Sequence, residues 1–585
     1  MPYIPEPVHN GSTKLSCRML LIVLGVYIGA TFLLTFPLAL RWPNEVPGPP
    51  EDNLQGLWNF WWIKESLINL RQNPINMDYL YYPNGILLAF HTFSFFNTLL
   101  GFPLLFFFNL VSTYNIFLFI SFPLSALGAY VLAYEVTGHR RASFLAGWAF
   151  AFSAYHITSA GHHLNLSSIQ FIPWYAWALK RMECNPGLRQ GALLGVFFVG
   201  ASLSSWYYGI FLCFFTFIWM IVVRKKVPPV IYRPILAAIV IAIIGLLPFV
   251  GPMFYRILIE SPNVLYEGYQ GHLGGDLLAY ILPGPDQSLV RGWSTLSNFY
   301  NRMGPFPWAA VVFLGVIPLG LGAYGVLRSP WNKTQFWVVG LAVFWVLSLG
   351  SVLQVNGIPL LSHLPYEWLV AKVPIVKMVR VPSRFVVMCT LSLAVLLAFG
   401  YVELENKFAR QRKKRRWIIW WSCFILLAIE SLHIPWTTTD PHRISHTDLF
   451  QWMRQDNHGK AMLELPMKGY IFNLVYVFRQ TIHKKKLLFG IMSRVPDKSI
   501  RWIGEGPLLN FFLRTRPMNR EFVKEMLGKL KEIEVGYVVL NGPFFMAQGP
   551  KGIDDFIRLR EHLDDLAVRI REAEHSEILI YKIPF

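Results

Sequence analysis

The chain has 585 residues, with 53 Lys and Arg against 34 Asp and Glu, for a formal net charge of +19. Hydrophobic residues make up 54% and charged residues 15%, with a mean hydropathy of +0.40. An ordinary soluble domain carries about 25% charge, so a wholly soluble protein is excluded.

The positive excess does not read as a nucleic-acid surface. It collects in short loops between apolar runs: HRR (139–141), RKK (224–226) and RQRKKRR (410–416). In such loops Lys and Arg set membrane orientation. The first apolar run, 19–40, follows Lys14 and Arg18. It is long for a secretory signal and shows no small-residue cleavage site, so an uncleaved span with an inside N-terminus is expected.

The stretch PGPPEDNLQGLWNFWW (47–62) comes next, placing Glu51 and Asp52 side by side before an aromatic cluster. A carboxylate within hydrogen-bond reach of a hydroxyl can take its proton. Neighbours on an extended loop point to opposite sides, so one of the two is expected to face a reaction centre. Asp52 is favoured because its shorter side chain is held closer to the backbone. A solvated acidic loop is the plainer alternative.

The run 91–111 contains His91, Asn97, Gly101 and Pro103 and is read as an interfacial helix that does not cross. Only then do all the basic loops fall on the inner side. The remaining spans are expected at 114–134, 142–157, 166–180, 190–204, 207–223, 234–256, 308–327, 335–352, 384–401 and 417–434. The stretch 191–223 forms a hairpin turning at SLSSWYYG (202–209). The expected fold is therefore mainly α: about eleven spans plus interfacial helices over residues 1–436. An extracytoplasmic soluble α/β domain over 437–585 completes it.

Four outer segments carry polarity: 41–113, 160–168, 257–306 and 353–383. His162 and His163 lie in the second, followed by Asn165. They could orient a phosphate, ligate a metal or merely pack the loop. The third holds Tyr266, Glu267, Tyr269, His272 and Asp276, a mixture suited to sugar stacking. The fourth leads into KMVRVPSRF (377–385), where Arg380 and Arg384 flank Pro382. A guanidinium there can grip phosphate bidentately or snorkel to headgroups. Arg384, placed on the helix, is expected to meet the phosphate while Arg380 braces the loop.

In the tail, KAMLELP (460–466), VGYVVLNG (535–542) and EILIYKIPF (577–585) read as strands, and 520–533 and 553–574 as helices. The cysteines, at 17, 184, 213, 389 and 423, have no CxxC spacing, so neither a disulfide framework nor a zinc site is expected. No GxGxxG, P-loop, GxSxG or HExxH occurs.

The acidic first loop, the interfacial run and ALGAYVLAYEVTGHRRASFLAGWAFAFSAY (126–155) together resemble GT-C type glycosyltransferases. These form the membrane family of protein O-mannosyltransferases and aminoarabinose transferases. YYPNG (81–85), GHHLNL (161–166), SSWYYG (204–209), RVPSRF (380–385) and LELP (463–466) are similar to motifs of bacterial multispan relatives. The resemblance implies a bacterial inner-membrane enzyme and a polyprenyl-phosphate-linked sugar donor. It also implies an extracytoplasmic glycan, lipid or protein acceptor, and a first-loop base, here Glu51 or Asp52. Members that use a metal carry a second acidic site in the next outer loop. Here GHHLNLSS (161–168) has no carboxylate, so no cofactor is expected. A flippase for lipid-linked saccharides would want polar mid-span residues and inverted repeats, which 234–256 and 308–327 lack. A non-catalytic scaffold for envelope assembly stays open beside the enzyme.

Overall fold

The structure is a computed structural model. It describes residues 15–88, 91, 93–223, 229–260, 273–304, 307–409, 413–467, 469–491, 519–573 and 577–584.

Its helical body begins with α1 (Cys17–Leu34), α2 (Asp52–Lys64), the short α3 (Phe95–Gly101) and α4 (Leu110–Thr137). Then come α5 (Arg140–Ala151), α6 (Ala154–His162), α7 (Phe171–Cys184), α8 (Leu188–Ser204), α9 (Trp206–Val223) and α10 (Tyr232–Glu260). The body closes with α11 (Val316–Arg328), α12 (Trp331–Ser348), α13 (Val386–Ala409) and α14 (Lys413–Glu430).

Among the described residues, five segments are long and apolar enough to cross a membrane: Cys17–Leu34, Leu110–Thr137, Trp206–Val223, Tyr232–Tyr255 and Pro382–Phe408. Each coincides with a predicted span. The other six predicted spans are shorter, broken or more polar. Run 142–157 is two helices, because the chain leaves the helical region at Phe152 and Ser153 caps α6. Run 308–327 becomes helical only at Val316. The 14-residue α7 measures about 21 Å at 1.5 Å per residue, less than the ~30 Å of a hydrocarbon core. In place of a span, 91–111 holds α3 and the 3-10 turn Pro103–Phe106.

The last of these segments, apolar on every side, is almost wholly buried and forms the axis of the body, whereas α10 leaves most of its surface outside. Along that axis Gly400 lies so close to α11 that a Cβ would stand 1.8 Å from the Leu321 carbonyl oxygen.

One end of this body gathers the basic loops. His139 capping α5, Arg141 in its first turn and Arg416 on α14 all face Glu405, at 3.6, 3.5 and 3.8 Å. Arg181 of α7 meets Glu135 of α4 at the same end. HRR and KKRR therefore share a side, as the charge pattern requires.

The C-terminal part is a five-stranded mixed sheet. Its strands are β1 (Ala461–Leu465), β2 (Lys486–Leu487), β3 (Val535–Asn541), β4 (Val568–Ala573) and β5 (Ile578–Lys582), in the order β4-β5-β3-β1-β2. β1 runs parallel to β2 and β3, while β3, β5 and β4 are antiparallel. Every residue of β1 and β3 is buried, hence their unbroken apolar runs. The expected helix 553–574 is corrected: it spans Pro550–Leu566 (α17), and Val568–Ala573 pairs with β5. Val568, Ile570 and the alternating arginines of VRIREA suit an edge strand.

One sheet face packs against α16 (Arg520–Glu532) and α17, making a core of its own with Leu463, Val538, Met526 and Leu559. The opposite face, with Met462, Tyr537 and Val539, joins the core of the helical body through α15 (Tyr470–His483). Buried Arg479 ties α15 to the sheet through Glu464 (2.5 Å) and Asn541 (2.7 Å). On its other side, Gln480 accepts from Trp58 (2.8 Å) and Lys484 pairs with Glu65 (2.6 Å). The aromatic cluster of 58–62 is thus no lipid-facing belt. It is covered by α15, with Trp58 and Trp62 stacked 5.8 Å apart.

Candidate active site

At the end opposite Glu405, two loops meet backbone to backbone. Gly48 has φ +77°, and a Cβ there would lie 1.8 Å from the Gly161 carbonyl oxygen. Only glycine permits both the left-handed backbone and the approach. Val46–Pro47 pairs with Thr438–Thr439 beyond α14, and Thr439 donates to the Gly48 carbonyl (2.7 Å). Asn53 fastens the proline turn: its amide donates to Pro47 (2.8 Å) and Pro49 (2.6 Å), and its oxygen accepts from Glu51 and Leu54 N–H. The turn delivers Asp52 to the first residue of α2, where the exposed N–H groups favour an anion.

The acidic pair is not on an extended loop, and both members are engaged. Glu51 Oε2 lies 2.8 Å from His162 Nδ1, and Asp52 Oδ2 lies 2.5 Å from His163 Nε2. Two adjacent acids thus meet two adjacent histidines, one to one. Trp308 packs over both imidazoles, stacked on His162 at 5.0 Å and tilted on His163 at 4.6 Å. The expected span 308–327 would have put Trp308 in the membrane. It belongs instead to the 3-10 turn Pro307–Ala310.

His163 is 7% exposed and its Nδ1 has no hydrogen-bond partner among the described residues. A protonated ring would leave a buried N–H unsatisfied, which is costly. The neutral tautomer instead donates Nε2–H to Asp52 and leaves only a lone pair. Burial pushes His163 below its usual range, with the Asp52 charge only partly opposing it. Burial pulls Asp52 the other way, but the hydrogen bonds from His163 and Tyr470 and the Arg384 charge outweigh it. The carboxyl is held below its ordinary value. Asp52 is therefore an anion at neutral pH, beside a neutral imidazole.

The hydroxyl of Tyr470, the first residue of α15, donates to Asp52 Oδ1. No sequence motif points to it: Tyr470 lies 418 residues beyond Asp52 in a segment without a recognisable pattern.

The pair separates two clefts. One, of about 360 Å³, is lined by Asp52, Gln55, Asn59, Asn97, Asn165 and neighbours. Asn97 is buried; its amide donates to Ser94 (3.0 Å) and Ser168 (2.7 Å), while its oxygen has no partner among the described residues. The second, about 340 Å³, is lined by His163, Tyr155, Ser159, Trp308 and Arg384. The Arg384 guanidinium sits 4.8 Å over the Tyr207 ring, and Tyr208 donates to the Leu166 carbonyl. The SSWYYG turn thereby supports both the arginine and the histidine loop. Arg384 stands in the 3-10 turn Pro382–Phe385 rather than on α13, because Pro382 interrupts regular helix. The charge of Arg380 acts on Tyr470.

Of the predicted residues, Glu51, Asp52, His162, His163, Asn165 and Arg384 converge here. Tyr266, Glu267, Tyr269 and His272 lie outside the described residues. Asp276 is buried and holds its loop together, accepting from Leu278 N–H (2.9 Å) and Gly357 N–H (2.8 Å). Among the described residues no group of three or more His, Cys, Asp or Glu is placed to hold a metal ion.

No family model matches the sequence, and a search of curated proteins finds no relative. Solved structures do match. The apo oligosaccharyltransferase of Archaeoglobus fulgidus aligns with 96% of this chain and 74% of its own, at 12% identity and TM-score 0.51. The same enzyme tethered to an acceptor peptide with the NVT sequon aligns over 98% and 75%, at 12% identity and TM-score 0.50. ArnT from Cupriavidus metallidurans bound to undecaprenyl phosphate aligns over 96% and 97%, at 11% identity and TM-score 0.52. At such identities the likeness speaks for architecture, and the chain has the GT-C-type fold that its motifs resemble.

Proposed function

We propose that this chain is a membrane glycosyltransferase that moves a sugar from a polyprenyl-phosphate carrier to a hydroxyl-bearing acceptor. The observation that carries the reading is the ionised Asp52, anchored by His163 between a cleft of amides and a cleft containing Arg384. The carrier class is supported by the similar fold of ArnT, captured with undecaprenyl phosphate. That the protein binds an acceptor is supported by the similar fold of the oligosaccharyltransferase, captured tethered to an acceptor peptide.

The acceptor lies in the amide cleft, where the unpartnered Asn97 oxygen accepts a hydroxyl. Asp52 takes the acceptor proton as the new bond to the anomeric carbon forms. The bond from that carbon to the phosphate oxygen breaks, and the oxygen leaves with the electron pair. Charge then grows on a group already anionic, and Arg384 stabilises it electrostatically. His163 stays neutral and keeps Asp52 aimed. The reading uses no divalent cation, so adding a chelator leaves turnover unchanged. In this reading the site faces outward across the inner membrane, opposite the basic loops. Cysteine labelling at 139–141 from outside the cell would contradict that orientation.

The test is to incubate the purified protein in detergent with radiolabelled polyprenyl-phosphate sugars and methyl glucoside as the hydroxyl acceptor, and measure release of the free carrier. Wild type is expected to release it from at least one donor, and Asp52→Asn is not. No release from any member of a hexose and pentose panel sinks the reading.

A further inference from the structure

The two oxygens of Asp52 are not equivalent. Oδ2 is fixed against the buried His163 at 2.5 Å, while Oδ1 takes the Tyr470 hydroxyl. Among the described residues no other hydrogen bond reaches this carboxylate. A base must offer one oxygen to its substrate, and Oδ2 is occupied from the protein interior. Oδ1 is the remaining one, and the group on it is an O–H.

Tyr470 is also placed to leave. It is 43% exposed and is the first residue of α15, next to Gly469 at φ +151°. The rest of α15 is locked by Arg479, Gln480 and Lys484. The first turn is held as well, by Phe472 stacked on Phe544 at 4.3 Å and by Asn473 on the Met467 and Gly469 carbonyls, so rotation of the Tyr470 side chain alone would uncover Oδ1 without undocking the sheet.

Resting on the glycosyl-transfer reading, we infer that the Tyr470 hydroxyl occupies the position of the acceptor's nucleophilic hydroxyl. Tyr470 is then a removable cover supplied by the C-terminal region, and the acceptor is a neutral alcohol. A neutral O–H replaces a neutral O–H at Oδ1 with the same geometry. An anionic acceptor, such as a phosphate, would have to approach Glu51 and Asp52 together and be repelled. In the reaction the alcohol displaces the phenol and bonds to Oδ1. It yields its proton there as its oxygen joins the anomeric carbon, while the carrier phosphate departs with the electron pair.

The cover is tested without relying on turnover. Wild type, Tyr470→Phe and Tyr470→Trp are treated with a water-soluble carbodiimide and glycine ethyl ester, and labelling of Asp52 is followed by mass spectrometry. Phe removes the hydroxyl on Oδ1, so labelling should rise about tenfold, the worth of one hydrogen bond to a charged group. Trp also lacks that hydroxyl, but its larger ring still covers Oδ1, so labelling should rise less than in Phe. Methyl glucoside should protect Asp52 in the Phe protein more than glucose 1-phosphate does. Equal labelling in wild type and Phe, or equal acceleration in Phe and Trp, overturns the cover. Stronger protection by the phosphate overturns the alcohol. In the carrier-release assay, Tyr470→Phe should lower the KM for methyl glucoside with kcat kept. A fall in kcat at constant KM makes Tyr470 a positioning residue and overturns the inference. Should no protein release carrier while the labelling pattern holds, glycosyl transfer fails and the cover stands.

Discussion

The two ends of the helical body each hold a carboxylate with a histidine and a tyrosine. At one end Glu405 takes the Tyr401 hydroxyl (2.7 Å) on Oε2, and His139, Arg141 and Arg416 surround Oε1. At the other end Asp52 takes Tyr470 and His163. The residue types nearly coincide, but the surroundings do not. Tyr401 is buried four residues from its partner on one helix, and two guanidiniums crowd Glu405. Tyr470 is exposed and arrives from a distant segment, and a cleft opens on each side of the Asp52–His163 pair. A carboxylate with partners is commonplace, whereas the one at Asp52 has an exposed partner and a cleft on each side.

The largest expected effect separates the two ends by function. Asp52→Asn keeps the shape but removes the base, and should cost about 10²–10⁴-fold in carrier release. Glu405→Gln should leave the rate per folded molecule within about twofold, the scale of a site outside the chemistry. If both variants lose activity equally with unchanged folding, the distinction collapses.

Arg384 comes next. Its alanine form should lose about 2–4 kcal/mol of transition-state stabilisation, and Lys should restore only part because it lacks the planar fork. A normal rate for Arg384→Ala would make this arginine a headgroup anchor.

On stability the ranking reverses. Glu405 is 8% exposed by side chain but its cationic partners are 28–49% exposed, so solvent screens much of the attraction. Glu405→Gln should therefore cost about 1–2 kcal/mol, between an exposed and a buried pair. That is read as a lower midpoint of thermal inactivation in detergent. Asp52→Asn should move it less, since the amide oxygen still accepts from one of Tyr470 and His163 and only the other hydrogen bond is lost.

The smallest effect concerns pH. His163 is depressed, so below the ordinary histidine value of about 6.5 the unfolded chain binds a proton that the folded chain refuses. Stability is then fully present above that value and falls as pH drops below it. Asp52 is depressed too, and its contribution is lost only in the more acidic range below the ordinary aspartate value. Carrier release, which follows the folded protein, should stay level from pH 8 through about 6.5 and decline only at the lower pH where the folded His163 takes up its proton. His163→Gln, with a neutral amide donor, should flatten the decline. An unchanged profile in that variant would place the titrating group elsewhere.

Much of this was legible in the chain itself. The five long apolar segments, the sharing of one side by HRR and KKRR, and the strands at 461–465, 535–541 and 578–582 all follow from local patterns. Those patterns act over a few residues: a run too apolar for water, or β-branched side chains that suit a sheet. The sequence also marked Glu51, Asp52, the histidine pair and Arg384, because charge next to an apolar run is expensive unless it has a use.

Pairings across long separations were decided by the tertiary structure. That Glu51 meets His162 and Asp52 meets His163 depends on Gly48 lying against the Gly161 carbonyl, a contact between loops more than a hundred residues apart. Trp308 read as part of a span because tryptophan is apolar. Only packing on both imidazoles shows it at the site. Tyr470 carried no signal, since one tyrosine opening an amphipathic helix looks like any other. Its place on Asp52 is set by how α15 docks between α2 and the sheet. Hydrophobicity is a property of each residue and can be read in order along a chain. A hydrogen bond needs two groups at one point in space, and that point exists only once the chain has folded.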